Sequence, residues 1–218
     1  LLVSLGCESV VLEEVAKSIA AAGKRVEQLV IQEEGGAARS VARGQLLAQQ
    51  LVMEASTLPA TLCPISELRL GLKCGASDTT QGLFANPAVG IASDLVVAAG
   101  GTSVLGEVTE FIGAEHILVR HAKSDAVAGE ILGLVQRMEA RAKAMGCDMR
   151  GGQPTGGNIK GGLTTIEEKS LGAIAKAGTA PIQAVYEYGV PPTVNGLVVM
   201  DSPGREPEIL TGLAAAGC

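Results

Sequence analysis

Thiol and carboxylate side chains follow two neighbouring strands that the sequence predicts near the middle of the chain. Cys74 and Asp78 lie in a turn of small and polar residues after the first of these strands. Glu107 and Glu110 follow the second strand. Because ligands of open α/β sheets bind beyond the carboxyl ends of the strands, we expect these four side chains to belong to one site.

Soft and hard ligand types occur together in this region. The region combines thiolate, carboxylate and imidazole groups, a mixture that suits Fe(II), Mn(II) or Zn(II). The candidates are Cys74, Asp78, Glu107, Glu110, Glu115 and His116. His116, farther along the chain, is a candidate acid/base group or ligand. None of these residues has the spacing of an established metal motif. Each therefore keeps a structural alternative: an inert buried thiol, a turn residue, a solvated carboxylate or a hydrogen-bonded histidine.

A glycine-rich stretch at 150 to 163 holds six glycines and one proline. It carries Asn158 and Lys160 and leads into Thr164 and Thr165, where a capping pattern predicts the start of a helix. Backbone N–H groups of such a loop and of the helix N-terminus bind anions, for example a substrate carboxylate. The alternative interpretation is a linker between two subdomains. The stretch matches neither a P-loop nor a dinucleotide-binding motif.

Alternating strands and helices must position these groups. The order of the elements predicts an α/β fold with a doubly wound, mostly parallel sheet and helices on both faces, similar to a Rossmann fold. The composition fits, because 47% of the residues are hydrophobic but only 2% are aromatic, which suits short aliphatic strands covered on both sides. We predict two α/β subdomains, 1–122 and 123–218, the second with a long helix at 125 to 145, the glycine-rich loop and a truncated C-terminal end.

Composition also argues against several classes of partner. The net charge is −6 and there is no basic tract, which disfavours nucleic-acid binding. No apolar run is long enough to span a bilayer, so no membrane association is expected. Five cysteines without CxxC spacing indicate reduced thiols, and we expect a cytoplasmic protein.

Several blocks of the sequence together resemble the altronate and galactarate dehydratase family, which also includes the large subunit of sulfolactate sulfo-lyase. The blocks are GLKCGASD, GLFANPAVG, GGTSVLGEVTE, GAEHIL, GNIKGGLTTIEEKSLG and VMDSPG, preceded by LGCE and IQEEGG. The resemblance covers nearly the whole chain in order. It implies a hydro-lyase that converts a sugar acid such as altronate or galactarate to a 2-keto-3-deoxy acid.

The resemblance also implies a divalent metal cofactor, Fe(II) or alternatively Mn(II), acting as a Lewis acid on the enediolate that forms when the α-proton leaves. Combined with the chemistry of the side chains, it predicts three sets of site residues. The metal ligands are Cys74, Asp78 and Glu107; the catalytic groups are His116, Lys160 and Glu110; the substrate-binding groups are Asn86, Asn158, Thr164, Thr165 and Lys169.

The resemblance implies missing partners as well. Family members carry a small N-terminal domain and a C-terminal stretch that this chain lacks, so we expect a catalytic-region fragment that completes its site with that domain or subunit, and a homodimer. The chain departs from the family pattern at Ala37, Ala76, Gly106 and Thr155. These departures leave two alternatives open: a carbon–sulfur lyase of the sulfolactate type, and a non-catalytic subunit that binds a sugar acid or serves as a scaffold.

Overall fold

Two separate parallel sheets divide the chain. The computed structural model describes all 218 residues, with Leu1–Leu62 and Cys63–Cys218 as two structural units. In the first unit, β1 (Leu2–Ser4) pairs in parallel with β2 (Gln28–Val30), and the strands are followed by α1 (Leu12–Ala21) and α2 (Ala37–Ser56).

The second unit is built on a four-stranded parallel sheet. Its strands are β3 (Arg69–Leu72), β4 (Thr102–Leu105), β5 (Ile182–Tyr186) and β6 (Gly196–Met200), in the order β3-β4-β6-β5. All three pairings are parallel, and every residue of the two central strands β4 and β6 is buried. The predicted α/β fold with parallel strands is therefore confirmed.

The boundary predicted after residue 122 does not coincide with the observed division. β3 and β4 precede residue 122, yet β4 pairs with β6 in the same sheet as β5. Strand pairing joins segments that lie far apart in sequence, so the periodicity along the chain does not reveal where a sheet ends.

Helices cover both faces of the second sheet. On one face, Leu105, Leu197 and Val199 pack into a core with Ile131 and Leu134 of the helix Asp125–Ala144. On the other face, the neighbouring positions of β4 and β6 pack against the helix Glu206–Ala215. Strand residues alternate between the two faces, and both alternating sets are apolar because both faces are covered.

The helices of the second unit are α3 (Asn86–Ala98), α4 (Glu115–Leu118), α5 (Asp125–Ala144), α6 (Gly156–Lys160), α7 (Ile166–Ile174) and α8 (Glu206–Ala215). The long helix predicted at 125 to 145 is confirmed as α5, and its N-cap is Ser124, whose hydroxyl accepts from the N–H of Val127. None of the helices combines the length and the apolar character needed to cross a bilayer.

Glycines let α3 approach the segment after α7 very closely. A Cβ atom at Gly90 would overlap the carbonyl oxygen of Ala175 and lie 3.1 Å from the Cα of Gly178. We call the 3₁₀ turn Ala175–Ala177 the Lys176 turn. Ser93 Oγ of α3 donates to the carbonyl of Ala177 at 3.1 Å, so α3 fixes this turn against the sheet.

The outer face of α3 exposes only apolar side chains. Within residues 81–98, all exposed positions are alanine, valine, leucine, isoleucine or phenylalanine. Ile91 and Leu95 are the most exposed of these residues in α3, with 64% and 67% of their surface accessible, and Leu83 and Phe84 in the turn before α3 have 64% and 70%. An apolar patch of this kind marks a contact surface more often than chance exposure does.

Candidate functional site

A cavity of about 500 Å³ lies beyond the carboxyl ends of β3 and β4. We call it the β3–β4 cavity. Its lining includes six of the residues predicted from sequence: Cys74, Asp78, Glu107, Glu110, Asn158 and Lys169. The same lining contains Lys73, Gln153 and Glu206, which the sequence did not single out. The structure thus brings the ends of β3 and β4 together, as expected for neighbouring parallel strands, and adds the glycine-rich loop to them.

Glu107 has a strained backbone that the end of β6 stabilises. It is the one non-glycine residue of the chain with a positive φ, 68°, and such a conformation at a large residue is characteristic of functional sites. Its N–H donates to Ser202 Oγ at 2.8 Å, and the N–H of Val108 donates to the Ser202 carbonyl at 3.0 Å. A Cβ atom at Gly106 would lie 2.7 Å from Ser202 Oγ, so this hydroxyl fills the space where a side chain at 106 would stand.

Beneath the cavity, Glu107 and Cys74 share a buried lysine. Lys176 Nζ donates to Glu107 Oε2 at 2.6 Å and to Cys74 Sγ at 2.9 Å, and the N–H of Cys74 donates to the same carboxylate oxygen at 2.7 Å. Burial raises the pKa of the Cys74 thiol above its ordinary value, although the charge of Lys176 opposes this. Burial lowers the pKa of Lys176, but contact with Cys74 and Glu107 outweighs it, so the pKa lies above its ordinary value.

The predicted metal ligands do not converge on one point. Cys74 and Glu107 are both engaged by the Lys176 ammonium. Asp78 accepts at Oδ1 from Thr80 Oγ1 and from the N–H of Gln81, and these hydrogen bonds hold the pKa of Asp78 below its ordinary value. No group of three or more histidine, cysteine, aspartate or glutamate side chains is arranged to hold a metal ion. The residues present therefore do not fit a divalent ion at this position as they are arranged.

Two other lysines pair with carboxylates in the cavity wall. Lys169 Nζ lies 3.2 Å from Glu110 Oε1 and donates to Gln153 Oε1 at 2.9 Å. Glu110 Oε2 is buried and has no hydrogen-bond partner in the chain. Lys73 Nζ lies 3.7 Å from Glu107 Oε1 and also pairs with Glu206. The cavity wall therefore holds two ammonium groups and a buried carboxylate oxygen without a hydrogen-bond partner.

The glycine-rich loop closes one side of the cavity. Asn158 Nδ2 donates to the carbonyl of Ser77 at 2.9 Å, and Thr79 donates through its N–H and its hydroxyl to the carbonyl of Gly161, both at 3.1 Å. A Cβ atom at Gly161 would lie 2.8 Å from Asp78 Cβ. The glycines allow the loop to lie directly on the turn that follows β3.

Three of the predicted residues lie near the cavity but do not line it. Asn86 is buried below it, where Nδ2 donates to Cys74 Sγ at 3.5 Å and to the carbonyl of Gly172 at 2.7 Å. Thr165 is the N-cap of α7 and accepts from the N–H of Glu168 at 3.1 Å. Thr164 also hydrogen-bonds the carboxylate of Glu168 and is exposed. Thr165 and Lys169 border an adjacent cavity of about 530 Å³.

The structure does not bring His116 or Lys160 to the β3–β4 cavity. His116 is exposed on α4 and borders a different cavity, together with Glu139 and Arg150. Lys160 is exposed at the end of α6. α4 follows a turn that leads away from the ends of β3 and β4, so a histidine only nine residues after Glu107 still lies outside the site.

Lys73, Ser202 and Lys176 are the main residues that sequence reasoning missed. Lys73 stands directly before Cys74, and Ser202 lies in the VMDSPG block, so their positions were available as signals. Lys176 interrupts an otherwise apolar segment, AIAKAG. A lysine in such a segment is buried only when it is paired, which makes the position a signal for a buried ion pair.

Comparisons with known proteins agree with the two structural units. The family model described as D-galactarate/Altronate dehydratase, C-terminal, matches residues 65–218, and the model described as D-galactarate dehydratase/Altronate hydrolase, second domain, matches residues 1–56. The match over residues 1–56 covers the unit around β1 and β2, and the match over residues 65–218 covers the unit that holds the β3–β4 cavity.

Individual relatives have three different activities in their names. The (2R)-sulfolactate sulfo-lyase subunit beta of Chromohalobacter salexigens is 40% identical over 94% of this chain and 53% of its own length. The altronate dehydratase of Bacillus subtilis is 35% identical over 100% of this chain and 43% of its own length. The galactarate dehydratase (L-threo-forming) of Escherichia coli is 42% identical over 66% of this chain and 27% of its own length. The chain thus spans about half the length of these relatives or less.

Proposed function

This chain belongs to the D-galactarate/altronate dehydratase family, and we propose that it carries the catalytic cavity of a hydro-lyase that converts a sugar acid such as altronate or galactarate to a 2-keto-3-deoxy acid. The observation that carries the proposal is the Lys169–Glu110 pair in the β3–β4 cavity, in which Glu110 Oε2 is buried without a partner. An ammonium group beside a free carboxylate oxygen suits the binding of an α-hydroxy carboxylate and the removal of its α-proton.

The reaction needs two proton transfers. A base removes the proton at C2, the electron pair forms a C2–C3 double bond, and the C3–O bond breaks. An acid protonates the departing hydroxide to water, and the remaining enol becomes the 2-keto-3-deoxy acid. Because the α-carbon is bonded to the carboxylate, the base must stand next to the group that binds the carboxylate.

Three residues of the cavity fit these roles. Lys169 binds the substrate carboxylate, and Glu110, 3.2 Å from Lys169 Nζ, accepts the C2 proton at Oε2. Lys73, the other ammonium group of the lining, donates the proton to the leaving hydroxyl. Ammonium groups held in fixed positions stabilise the charge that develops on the enediolate.

A carbon–sulfur lyase is the second candidate, because the sulfolactate sulfo-lyase subunit matches 94% of this chain. The first step would be the same removal of an α-proton. The C3–S bond would then break, releasing sulfite and the enol of pyruvate. Sulfite is a much weaker base than hydroxide, so its departure needs no acid. Lys73→Met should therefore abolish a dehydratase activity while leaving a sulfo-lyase activity largely in place.

The predicted divalent cation stays a proposal for the intact protein. No step above depends on it, since Cys74, Asp78 and Glu107 are not arranged around one point. Fe(II) is the first choice and Mn(II) the second. The test is metal content of the purified protein, followed by turnover before and after treatment with a chelator and after reloading with Fe(II) or Mn(II).

We also propose that a small N-terminal domain or subunit completes the protein, since this chain spans only part of the length of its relatives. Two copies of the protein associate, in our proposal, through the outer face of α3. Every exposed residue of that face is apolar, so a second copy related by a two-fold axis would bury the same uncharged surface on both sides. A standard interface uses about 20–30 residues a side, of which the α3 face would form the centre.

Product identity tests the proposed function. The intact protein, loaded with Fe(II) under anaerobic conditions, is offered altronate, galactarate and sulfolactate, and 2-keto acid and sulfite are measured separately. We expect a 2-keto-3-deoxy acid without sulfite from altronate or galactarate. Sulfite with pyruvate would establish the second candidate. Binding of the sugar acids without any product would support the non-catalytic alternative and contradict the proposal.

A further inference from the structure

A buried ammonium group lies where the sequence predicts a metal ion. Lys176 is 1% exposed, and its Nζ lies 2.6 Å from Glu107 Oε2 and 2.9 Å from Cys74 Sγ. Glu107 is also 1% exposed and Cys74 is 4% exposed. The reaction scheme above gives no role to Lys176, which does not line the cavity.

An isolated charge in a protein interior is strongly disfavoured unless it is paired and hydrogen-bonded. Lys176 meets this condition through the two residues that would otherwise form the core of a thiolate–carboxylate metal site. Asn86 completes the surroundings, because its Nδ2 donates to Cys74 Sγ at 3.5 Å and so takes a further direction of approach to the sulfur. The position between thiol and carboxylate is already filled by a cation that belongs to the chain.

We propose that the Lys176 ammonium is the resident cation of the Cys74–Glu107 pair, that it excludes divalent metal ions from this pair, and that it acts as a positioning residue for Glu107. Glu107 Oε2 accepts both from Lys176 Nζ and from the N–H of Cys74, so the carboxylate is tied to the turn that forms the cavity floor. Its other oxygen, Oε1, is 3.7 Å from Lys73 Nζ, the proposed acid. Lys176 thereby orients Lys73 through Glu107.

The exclusion of metal does not depend on the proposed function, whereas the positioning role rests on it. A divalent cation that serves the reaction must then take ligands other than Cys74 and Glu107. The two parts of the inference are tested by different readouts, so that either can fail without the other.

The first experiment is a Co(II) titration of the intact protein, followed by absorption spectroscopy. Co(II) bound to a thiolate gives an intense ligand-to-metal charge-transfer band. We expect the spectra of the wild type and of Cys74→Ser to be the same, because Lys176 keeps Co(II) away from the Cys74 sulfur. Lys176→Met should gain a thiolate band that the double variant Lys176→Met/Cys74→Ser lacks. Lys143→Met, the same change at an exposed lysine of α5, should leave the wild-type spectrum unaltered.

A thiolate band in the wild type that disappears in Cys74→Ser would overturn the exclusion of metal. A folded Lys176→Met protein without a Cys74-dependent band would overturn it as well. Circular dichroism and thermal unfolding report whether the variant is folded. Where Lys176→Met does not fold, the comparison of wild type with Cys74→Ser decides the matter without any change at Lys176.

The second experiment measures turnover with the substrate that the product assay identifies. We expect Lys176→Met to lower kcat by about 10²-fold with little change in KM, because misplacement of a proton donor affects the chemical step rather than binding. Small alkylammonium ions should restore part of kcat in Lys176→Ala. An unchanged kcat in folded Lys176→Met would overturn the positioning role. A wild type without turnover would refute the proposed function but leave the Co(II) result standing.

Discussion

At the scale of single residues, the β3–β4 cavity depends on how lysines are paired with carboxylates. Glu107 faces two ammonium groups, Lys176 and Lys73, whereas Glu110 faces only Lys169 and keeps one oxygen without a partner. Two carboxylates three residues apart thus have different surroundings. On this difference rests our proposal that Glu107 holds the site together and Glu110 transfers protons.

Lys169 should act chiefly on substrate binding. Lys169→Met removes the ammonium group that we propose for the substrate carboxylate, and a hydrogen bond to a charged group contributes about 1.5–3 kcal/mol. We expect KM to rise by roughly tenfold or more, since 1.4 kcal/mol corresponds to a factor of ten. Steady-state kinetics with Lys143→Met as the matched control measure this. An unchanged KM would remove Lys169 from the binding site.

The first unit contains a carboxylate with a strongly lowered pKa. Glu8 accepts from the N–H groups of Leu5, Gly6 and Cys7 at 2.8, 2.7 and 2.9 Å. The Ser4 hydroxyl and hydrogen bonds from the backbone of Glu8, Gly6 and Leu5 lower the pKa of Glu8 from 4.5 to about 2. The ionised form therefore stabilises the folded loop at neutral pH, and this contribution is lost as the pH falls from about 4.5 to about 2.

Titration of Glu8 can be followed through its carboxyl carbon by NMR. We expect a midpoint well below that of an ordinary glutamate, with the amide signals of Gly6 and Cys7 shifting at the same pH. A midpoint near 4.5 would show that the carboxylate does not hold these N–H groups in solution.

At the scale of elements, α3 is the part that sets the position of Lys176. Ser93 Oγ binds the Ala177 carbonyl, and the Asp94 carboxylate accepts from the N–H groups of Thr179 and Ala180 at 2.8 and 3.0 Å. Gly90 then allows the helix to touch the Lys176 turn. The sequence is rich in glycine, and at position 90 the lack of a side chain is what lets α3 touch the Lys176 turn.

Replacing Gly90 with alanine should displace the Lys176 turn without altering any charged group. The new Cβ atom would overlap the Ala175 carbonyl, and overpacking of this kind costs about 1–3 kcal/mol. Gly129→Ala, in α5 with open space around it, is the matched control and should stabilise by about 0.5–1 kcal/mol. Urea unfolding measures both changes. An unaltered free energy of unfolding in Gly90→Ala would contradict the close contact.

The elements were largely predictable from the sequence, and the pairings between distant residues were not. The order of strands and helices along the chain predicted the parallel sheet, and the long helix predicted at 125 to 145 is α5. Strand ends predicted that Cys74 and Glu107 would meet. The contact of Lys176 with Cys74 spans 102 positions, so the apolar segment around Lys176 indicates a buried ion pair but not the residues that form it.

At the scale of the whole molecule, the two units match two separate family models, one over residues 1–56 and the other over residues 65–218. The sequence alone predicted the family and the α/β class. Its predicted boundary after residue 122 differs from the observed division after Leu62, since the pairing of β4 with β6 carries no local signal. It also left the outer face of α3 unnoticed, since a continuous apolar helix looks like a core element.

Association through α3 should be sensitive to charge. The wild-type protein should be a dimer, as measured by size-exclusion chromatography coupled to light scattering. The double variant Ile91→Glu/Leu95→Glu should be monomeric, because dimerisation would bury two carboxylates per subunit that lose their hydration without gaining partners. Leu132→Glu, at an exposed position of α5, serves as the control and should remain dimeric. A monomeric wild type, or a double variant that stays dimeric, would contradict this interface.

The most direct test of the central claim is the kcat of Glu110→Gln in the intact protein, measured with the substrate that gives product with the wild type. Glutamine keeps the shape of the side chain but cannot accept the α-proton. We predict that kcat falls by about 10²–10⁴-fold, the usual contribution of a general base, while Glu130→Gln on the exposed side of α5 retains full activity. An unchanged kcat in Glu110→Gln would contradict the assignment of the reaction to the β3–β4 cavity.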